Sequence, residues 1–300
     1  MTGLPKYPEF ELLGLKHRDI VEGQLKKMQP IASELNFTEV FAWRPTRNTK
    51  ICVHNGIIAL DFEKKGVHYI VFLCPDCEIV PAAREVLENH RRNGFACVVA
   101  CLTEETAAHF KDESGLEITS DRAASDYVYL TSDLINLEGR KYDGKRNLIK
   151  QFQSNYTFEM TEITKKHIPE VQAIQAEWCK TRQCEPGTVL ADENVAIEQM
   201  LGHFSDLEIF GAMLKVNGKF AAYTLAGVLN DKTAVTYIEK GLQGYKGIYQ
   251  AINQMFAEKY LSKYEFINRE QDVGDDGLRH AKMSYHPHHL VHKYSVKLKA

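Results

Sequence analysis

The residues with the most chemistry to offer run Tyr237-Ile238-Glu239-Lys240-Gly241-Leu242-Gln243-Gly244-Tyr245-Lys246-Gly247-Ile248-Tyr249. Their order reads as a strand, a glycine-rich turn and the start of a helix. Glycines let the backbone approach a ligand closely, Lys246 adds positive charge, and the unpaired amides of a helix's first turn point at whatever sits there. Such an arrangement suits a phosphate. The spacing fits neither the dinucleotide fingerprint nor the P-loop, since no Gly-x-Gly and no Gly-Lys-Ser/Thr is present. A plain structural turn would use the same glycines.

A second group, residues 267–287, is the most polar constellation of the chain. It follows a predicted strand directly, where side chains meet substrate, and Glu270, Asp272, Arg279, Lys282 and Tyr285 offer acid, base and cation roles. The competing reading is a capped loop, with Asp275 or Asp276 as a helix N-cap and the two cations paired to the acids. His286, His288, His289 and His292 share a predicted strand without a nearby carboxylate, so no metal is expected from them. Seven cysteines, an odd number, predict free thiols in a reducing compartment rather than a disulfide framework. Cys74 and Cys77 lack the second pair that a zinc site needs, and Cys179 and Cys184 have no adjacent histidine to make either a nucleophile.

The elements that must hold these residues follow from apolar patterning. Strands are predicted at 207–215, 219–229 and 233–239, with turns at Asn217-Gly218 and Asn230-Asp231. A helix at 246–260, a strand at 264–267, a helix at 276–284 and a final strand from His288 come next. That strand should place Leu290, Tyr294, Val296 and Leu298 on one face, and His289, Lys293 and Lys297 on the other. The first half shows the same order: helices at 18–35 and 37–43, strands at 51–54, 56–63 and 68–74, a helix at 82–92 and a strand at 95–101. The second half also opens on helices, with Ile168, Val171, Ile174 and Trp178 at helical spacing and a further segment at 193–203. We read a tandem duplication of one α+β unit, with domains at 1–150 and 151–300. Where the second half has glycines and a lysine, the first has Cys74-Pro75-Asp76-Cys77-Glu78, which opposes an anion. Only the second domain should bind phosphate.

Composition sets limits. With 44% hydrophobic and 26% charged side chains in 300 residues, the chain can form two packed domains. No apolar run approaches the ~20 residues that span a bilayer, and Pro5, Glu9 and Glu11 do not suit a signal peptide, so a cytoplasmic location is expected. A net charge of -3 weighs against general nucleic-acid binding.

At the junction of the third strand and the helix, the second half resembles the acyl-CoA-binding fold of the GNAT N-acetyltransferase superfamily. The segment Asn-Arg-Glu-Gln-Asp-x-Gly-x-x-Gly-Leu-Arg-x-x-Lys-x-Ser-Tyr-x-Pro, at 268–287, is similar to cytoplasmic relatives of the phosphatidylglycerol lysyltransferase C-terminal domain. Residues 37–43, 129–141 and 145–152 extend the likeness over nearly the whole chain. The resemblance implies two tandem GNAT-like domains, each a mixed, mainly antiparallel sheet flanked by helices. It also implies transfer of an acyl or aminoacyl group to a small-molecule or peptide amine. In an acyl-CoA version, the strand at Ile238 and Lys240 would bond the pantetheine arm, while Gly244, Tyr245, Lys246, Gly247, Ile248 and Tyr249 hold pyrophosphate. Glu239 or Glu270 would take the amine's proton, Tyr285 would return one to the thiolate, and Asn268, Arg269, Asp272, Arg279 and Lys282 would meet the acceptor. In an aminoacyl-tRNA version, which the net charge does not favour, Lys145, Arg146, Lys150 and the basic tail would carry the phosphates. A third version binds a CoA-like ligand, nucleotide or protein partner without chemistry. The cleft is expected in the second domain, with the first as a wall of the acceptor pocket.

Overall fold

A computed structural model describes residues 3–74 and 79–299. The sequence reading of Cys74 to Glu78 therefore falls, but for Cys74, outside the described residues. The chain forms two compact units, one of residues up to 126 together with those from 291, the other Tyr127–Leu290.

The chain begins with β1 (Glu11–Leu12), α1 (Arg18–Met28), α2 (Phe37–Ala42), α3 (Arg44–Arg47), β2 (Lys50–His54), β3 (Ile57–Lys64) and β4 (Val67–Leu73). α4 (Ile79–Arg92), β5 (Ala96–Leu102), α5 (Glu104–Ala108) and β6 (Leu116–Ser120) follow. α1 ends before the predicted residue 35, because Gln29 turns left-handed at φ +48° and the next residue is a proline. Asn36 then opens α2 by accepting the Thr38 amide at 2.9 Å. The core of this unit lies under α4, whose Ala82, Ala83, Val86 and Leu87 pack on Ile70, Phe72 and Val99 of the sheet.

The second unit holds β7 (Asp126–Leu130), α6 (Thr131–Asn136), α7 (Asp143–Asn155), β8 (Phe158–Glu162), α8 (Ile168–Arg182) and α9 (Val189–Gly202). Next come β9 (Phe210–Val216), β10 (Lys219–Asn230), β11 (Thr233–Gly241), α10 (Ile248–Phe256), β12 (Phe266–Asn268), α11 (Asp276–Met283) and β13 (His289–Val291). The β9–β10 hairpin turns at Asn217 and Gly218, both at positive φ as a type I′ turn requires. α10 is shorter than its apolar pattern predicts, since residues 257–261 wind on as a π-helical turn. Its apolar face, Ile248, Ala251 and Ile252, packs on Phe152, Leu214 and Ala222.

β14 (Tyr294–Leu298) closes the chain. The sheet of the first unit runs β1-β2-β3-β4-β5-β14-β6, and that of the second β13-β7-β12-β11-β10-β9-β8. Both are mainly antiparallel, as expected. The units divide at 126/127 and 290/291 rather than at 150/151, because β7 is built into the second sheet and β14 into the first. The predicted final strand is thus two strands in two sheets. Its break lies at His292-Lys293, where the Lys293 ammonium turns inward to Asp126 Oδ1 at 2.6 Å and to Glu34. Burial alone would lower its proton affinity, but the two carboxylates outweigh burial and hold it charged. Lys293 is therefore a core residue of the first unit, not a member of a solvated basic face. No helix among the described residues is long and apolar enough to cross a membrane.

Candidate functional site

β11 and β12 run parallel and pair over only three positions, Thr233 with Phe266, Ala234 with Ile267 and Val235 with Asn268. On its other edge β11 stays with β10 as far as Gly241, which faces Ala222. Past Val235 the two parallel strands part, and among the described residues no strand pairs with the edge 236–241. A wedge inside a sheet leaves main-chain groups that an extended ligand can bond. A β-bulge at Tyr237 strengthens the local twist.

At the end of the wedge the chain turns through the glycines. A cavity of ≈ 320 Å³ is lined by Arg182 and by residues 241–250. Gly244 and Gly247 lie at φ +92° and +87°, in the region that favours glycine. The Tyr156 hydroxyl fixes the turn by donating to the Gly244 carbonyl at 3.1 Å and accepting the Lys246 amide at 3.3 Å. Behind it, the Tyr249 hydroxyl accepts from Trp178 Nε1 at 3.1 Å and donates to the Gly241 carbonyl at 3.0 Å. Lys246 and Arg182 stay exposed at the mouth. The six residues expected to hold pyrophosphate, Gly244 to Tyr249, therefore line one cavity.

Lys240 and Ile238 do not join them. The Lys240 ammonium is engaged 2.6 Å from Glu193 Oε2 and 3.9 Å from the Trp178 ring centroid. Ile238 is buried, and its carbonyl accepts from Thr224 Oγ1 at 2.9 Å.

In the wedge, Glu239 Oε1 meets Arg269 Nη2 at 3.0 Å and Oε2 meets Asn253 Nδ2 at 3.1 Å. The Arg269 guanidinium lies 5.3 Å from the Tyr285 ring centroid and 5.9 Å from that of Tyr129. Lys145 Nζ lies 4.1 Å from the Tyr285 ring centroid and donates to Ser284 Oγ at 2.6 Å. Burial, and then the charge of Arg269, lower the Lys145 proton affinity. Burial raises the Tyr285 and Tyr129 phenols well above their usual range, so at neutral pH both keep their protons and can donate hydrogen bonds. Glu239, Arg269 and Tyr285, distant in sequence, thus meet in one cluster. Lys145, Asn253 and Tyr129 belong to it and were not singled out for it. Asn253 carried a readable signal, being polar beside the apolar face of α10.

Glu239→Gln keeps the shape but removes the charge opposite Arg269. It is expected to cost about 2 kcal/mol in urea unfolding, the penalty of a buried cation left without its anion.

The rest of the polar constellation supports its own loop. Asn268 Oδ1 accepts the Glu270 amide at 2.8 Å. Lys282 Nζ donates to the carbonyls of Arg269, Glu270 and Gln271 at 2.6, 3.1 and 2.6 Å. Asp272, fully buried, accepts from Nε and Nη2 of Arg279 at 2.9 and 3.1 Å and from the Tyr127 hydroxyl at 2.5 Å. Asp275 caps α11 by accepting the Leu278 amide at 2.6 Å. Among the five residues expected to meet the acceptor, only Arg269 points into the wedge cluster. Glu270 sits at φ +56°, and its main-chain carbonyl accepts from the Tyr127 amide and from Lys282 Nζ.

The expectation of free thiols is corrected at one place, where Cys179 and Cys184 form a disulfide. Gln183 reverses the chain at φ +54° at the end of α8, which brings their Cα atoms to 5.2 Å. Among the described residues, Cys52, Cys97 and Cys101 are free thiols.

A family model described as phosphatidylglycerol lysyltransferase, C-terminal, matches residues 25–297. The chain is 30% identical to a crystal structure of a conserved protein of unknown function from Bacteroides thetaiotaomicron, with TM-score 0.89, covering 97% of this chain and 99% of that one. The structure of L-PGS from Bacillus licheniformis matches at TM-score 0.65 and 14% identity over 94% of this chain and 91% of that one. A tandem GNAT protein from the clavulanic acid biosynthesis pathway matches at TM-score 0.54 and 10% identity over 96% and 97%. At these identities the last two show the fold, which is a tandem GNAT-like one. An uncharacterised protein from Mycoplasmoides gallisepticum is 20% identical over 192 residues, 63% of this chain, and the chain spans 60% of that relative's length.

Proposed function

We propose a donor and a mechanism from one premise: the chain belongs to the phosphatidylglycerol lysyltransferase C-terminal family. It is an aminoacyl- or acyltransferase. The donor we assign is an acyl-CoA and the acceptor an amine, and the observation that carries this is the strand wedge ending in the glycine-lined cavity. The donor's phosphates would lie on the amides of residues 244–248 beside Lys246 and Arg182, with the pantetheine arm along β11 beyond its pairing with β12, toward residues 238–241. The amine attacks the thioester carbonyl, a C–N bond forms and the C–S bond breaks. Glu239 takes the amine's proton through water, and Tyr285 returns a proton to the thiolate. Arg269 and Asn253 hold the Glu239 carboxylate, and Lys145 holds the Tyr285 ring.

Family membership favours a second reading, in which the donor is an aminoacyl-tRNA. The cations it needs are largely engaged. Lys145 bonds Ser284, Arg146 bonds Asp143 and the carbonyls of Leu137 and Gly139, Lys293 is buried, and Lys297 pairs with Glu117 at 3.3 Å. Lys150 remains exposed on α7.

Thermal unfolding with acetyl-CoA tests the donor, since a ligand at 100 times its Kd stabilises the native state by about 2.7 kcal/mol. We expect a raised midpoint in wild type and a smaller rise in Lys246→Ala. No rise at millimolar acetyl-CoA, together with tRNA binding that weakens steeply with salt, would replace the first reading by the second.

A further inference from the structure

We propose that the first unit binds a zinc ion between Asp61, His68 and His90. One donor atom from each lies within 4.8 Å of those from the other two, and among the described residues this is the cluster of three such side chains close enough to share an ion. Tetrahedral zinc with bonds near 2.0 Å spaces its ligands about 3.3 Å apart, so the donors need to close by about 1.5 Å. Nothing in the spacing 61, 68, 90 resembles a ligand motif, because the three come from separate elements. Asp61 is on β3 and His68 on β4, where Glu63 pairs with His68. That register puts Asp61 two residues along on the same sheet face. α4 crosses this face and contributes His90 one turn after the buried Val86.

The hydrogen bonds prepare the imidazoles. His90 Nδ1 lies 2.9 Å from the Val86 carbonyl, which can only accept, so Nδ1 carries the proton and Nε2 keeps its lone pair for a metal. His68 Nδ1 lies 3.0 and 3.2 Å from the two Asp61 oxygens, so a carboxylate and an imidazole already share one site. An ion taking that place would displace the shared proton to solvent. The two imidazole rings are 5.0 Å apart between centroids. Phe95, 54% exposed, lies edge-on to His68.

The donor set, two imidazoles and one carboxylate with a fourth position for water, suits zinc better than calcium or magnesium. Cys52 and Cys97 line the same region of the sheet, paired with Ala59 and His68. The ion would neutralise a carboxylate that is 5% exposed and clamp the end of α4 onto the sheet.

The test uses the full chain, stripped of metal and titrated with zinc chloride. Bound metal is measured by elemental analysis, and cobalt substituted as a spectroscopic probe. We expect one zinc per chain, a raised unfolding midpoint reversed by chelator, and visible cobalt bands of a tetrahedral site. Binding should weaken at least tenfold in His90→Gln and in Asp61→Asn, while His288→Ala with His289→Ala, which removes a pair of imidazoles of the second unit, leaves it unchanged. His90→Gln sits at a helix end and is the variant least apt to disturb folding. Absence of binding at micromolar zinc, full binding in His90→Gln, or loss of binding in the His288 and His289 variant would each overturn the proposal.

Discussion

Gly247→Asp is expected to abolish donor binding and to destabilise the protein by about 3 kcal/mol or more, from positive-φ strain together with a backbone collision. Gly247 is the N-cap of α10 at φ +87°. A Cβ there would strike the carbonyl oxygen of Leu148, 3.0 Å from that residue's carbonyl carbon and 3.1 Å from Phe152 Cβ. None of these atoms is the free end of a flexible side chain, so the turn or α7 must shift. The added carboxylate would also sit where a phosphate is expected. Gly244→Ala is the control, since it is strained at φ +92° but has nothing within 4 Å of its added carbon. Urea unfolding and acetyl-CoA titration of the two variants separate strain from collision. Equal stability of both would show that Leu148 yields freely and that the close packing of α7 is not what shapes the cavity.

Asp272→Asn should be nearly as damaging, by about 2–3 kcal/mol, since a buried carboxylate loses its charge while Arg279 and Tyr127 keep their donors. The lower end applies because the Arg279 side chain is 37% exposed and water can replace part of the pair. The Arg279 guanidinium, with the Tyr127 hydroxyl and the Gly274 amide, holds the Asp272 carboxyl well below the usual carboxylate range against its burial. A depressed folded-state value means that the unfolded chain takes up the proton first. The contribution is therefore complete above about pH 4, near the carboxylate's unfolded value, and fades as pH falls toward the folded one. The acid limb of stability against pH should be shallower in Asp272→Asn than in wild type. An unchanged limb would assign it to other carboxylates, and Arg279→Ala with the double variant measures the coupling directly.

The donor side of the site was the legible part. A glycine-rich turn after an apolar strand is local information, and the structure gathers Gly244 to Tyr249 around one cavity. The polar segment was legible as chemistry but not as roles. Sequence cannot say that Lys282 folds back onto three carbonyls or that Asp272 is fully buried, because both depend on how the loop closes over β7. Lys145, Asn253 and Tyr129 lie in α7, α10 and β7, more than 100 residues apart at the extremes, and only packing puts them round Glu239. The disulfide was hidden in the same way, since Cys179 and Cys184 become neighbours through one left-handed residue.

By itself the sequence determined the alternation of helices and strands, the duplication and the glycine-rich turn, since periodicity, turn residues and helix caps act within a few neighbours. The tertiary structure alone decided which sheet each strand joins. β7 and β14 have ordinary strand patterns, and their placement is set by partners far away: Phe266, Ile267 and Asn268 for β7, Leu102 and residues 116–120 for β14. The buried Lys293, held by Asp126 and Glu34, shows the reason most plainly. A charged side chain reads as solvent-facing until its counter-charges, remote in sequence, are brought to it by the fold.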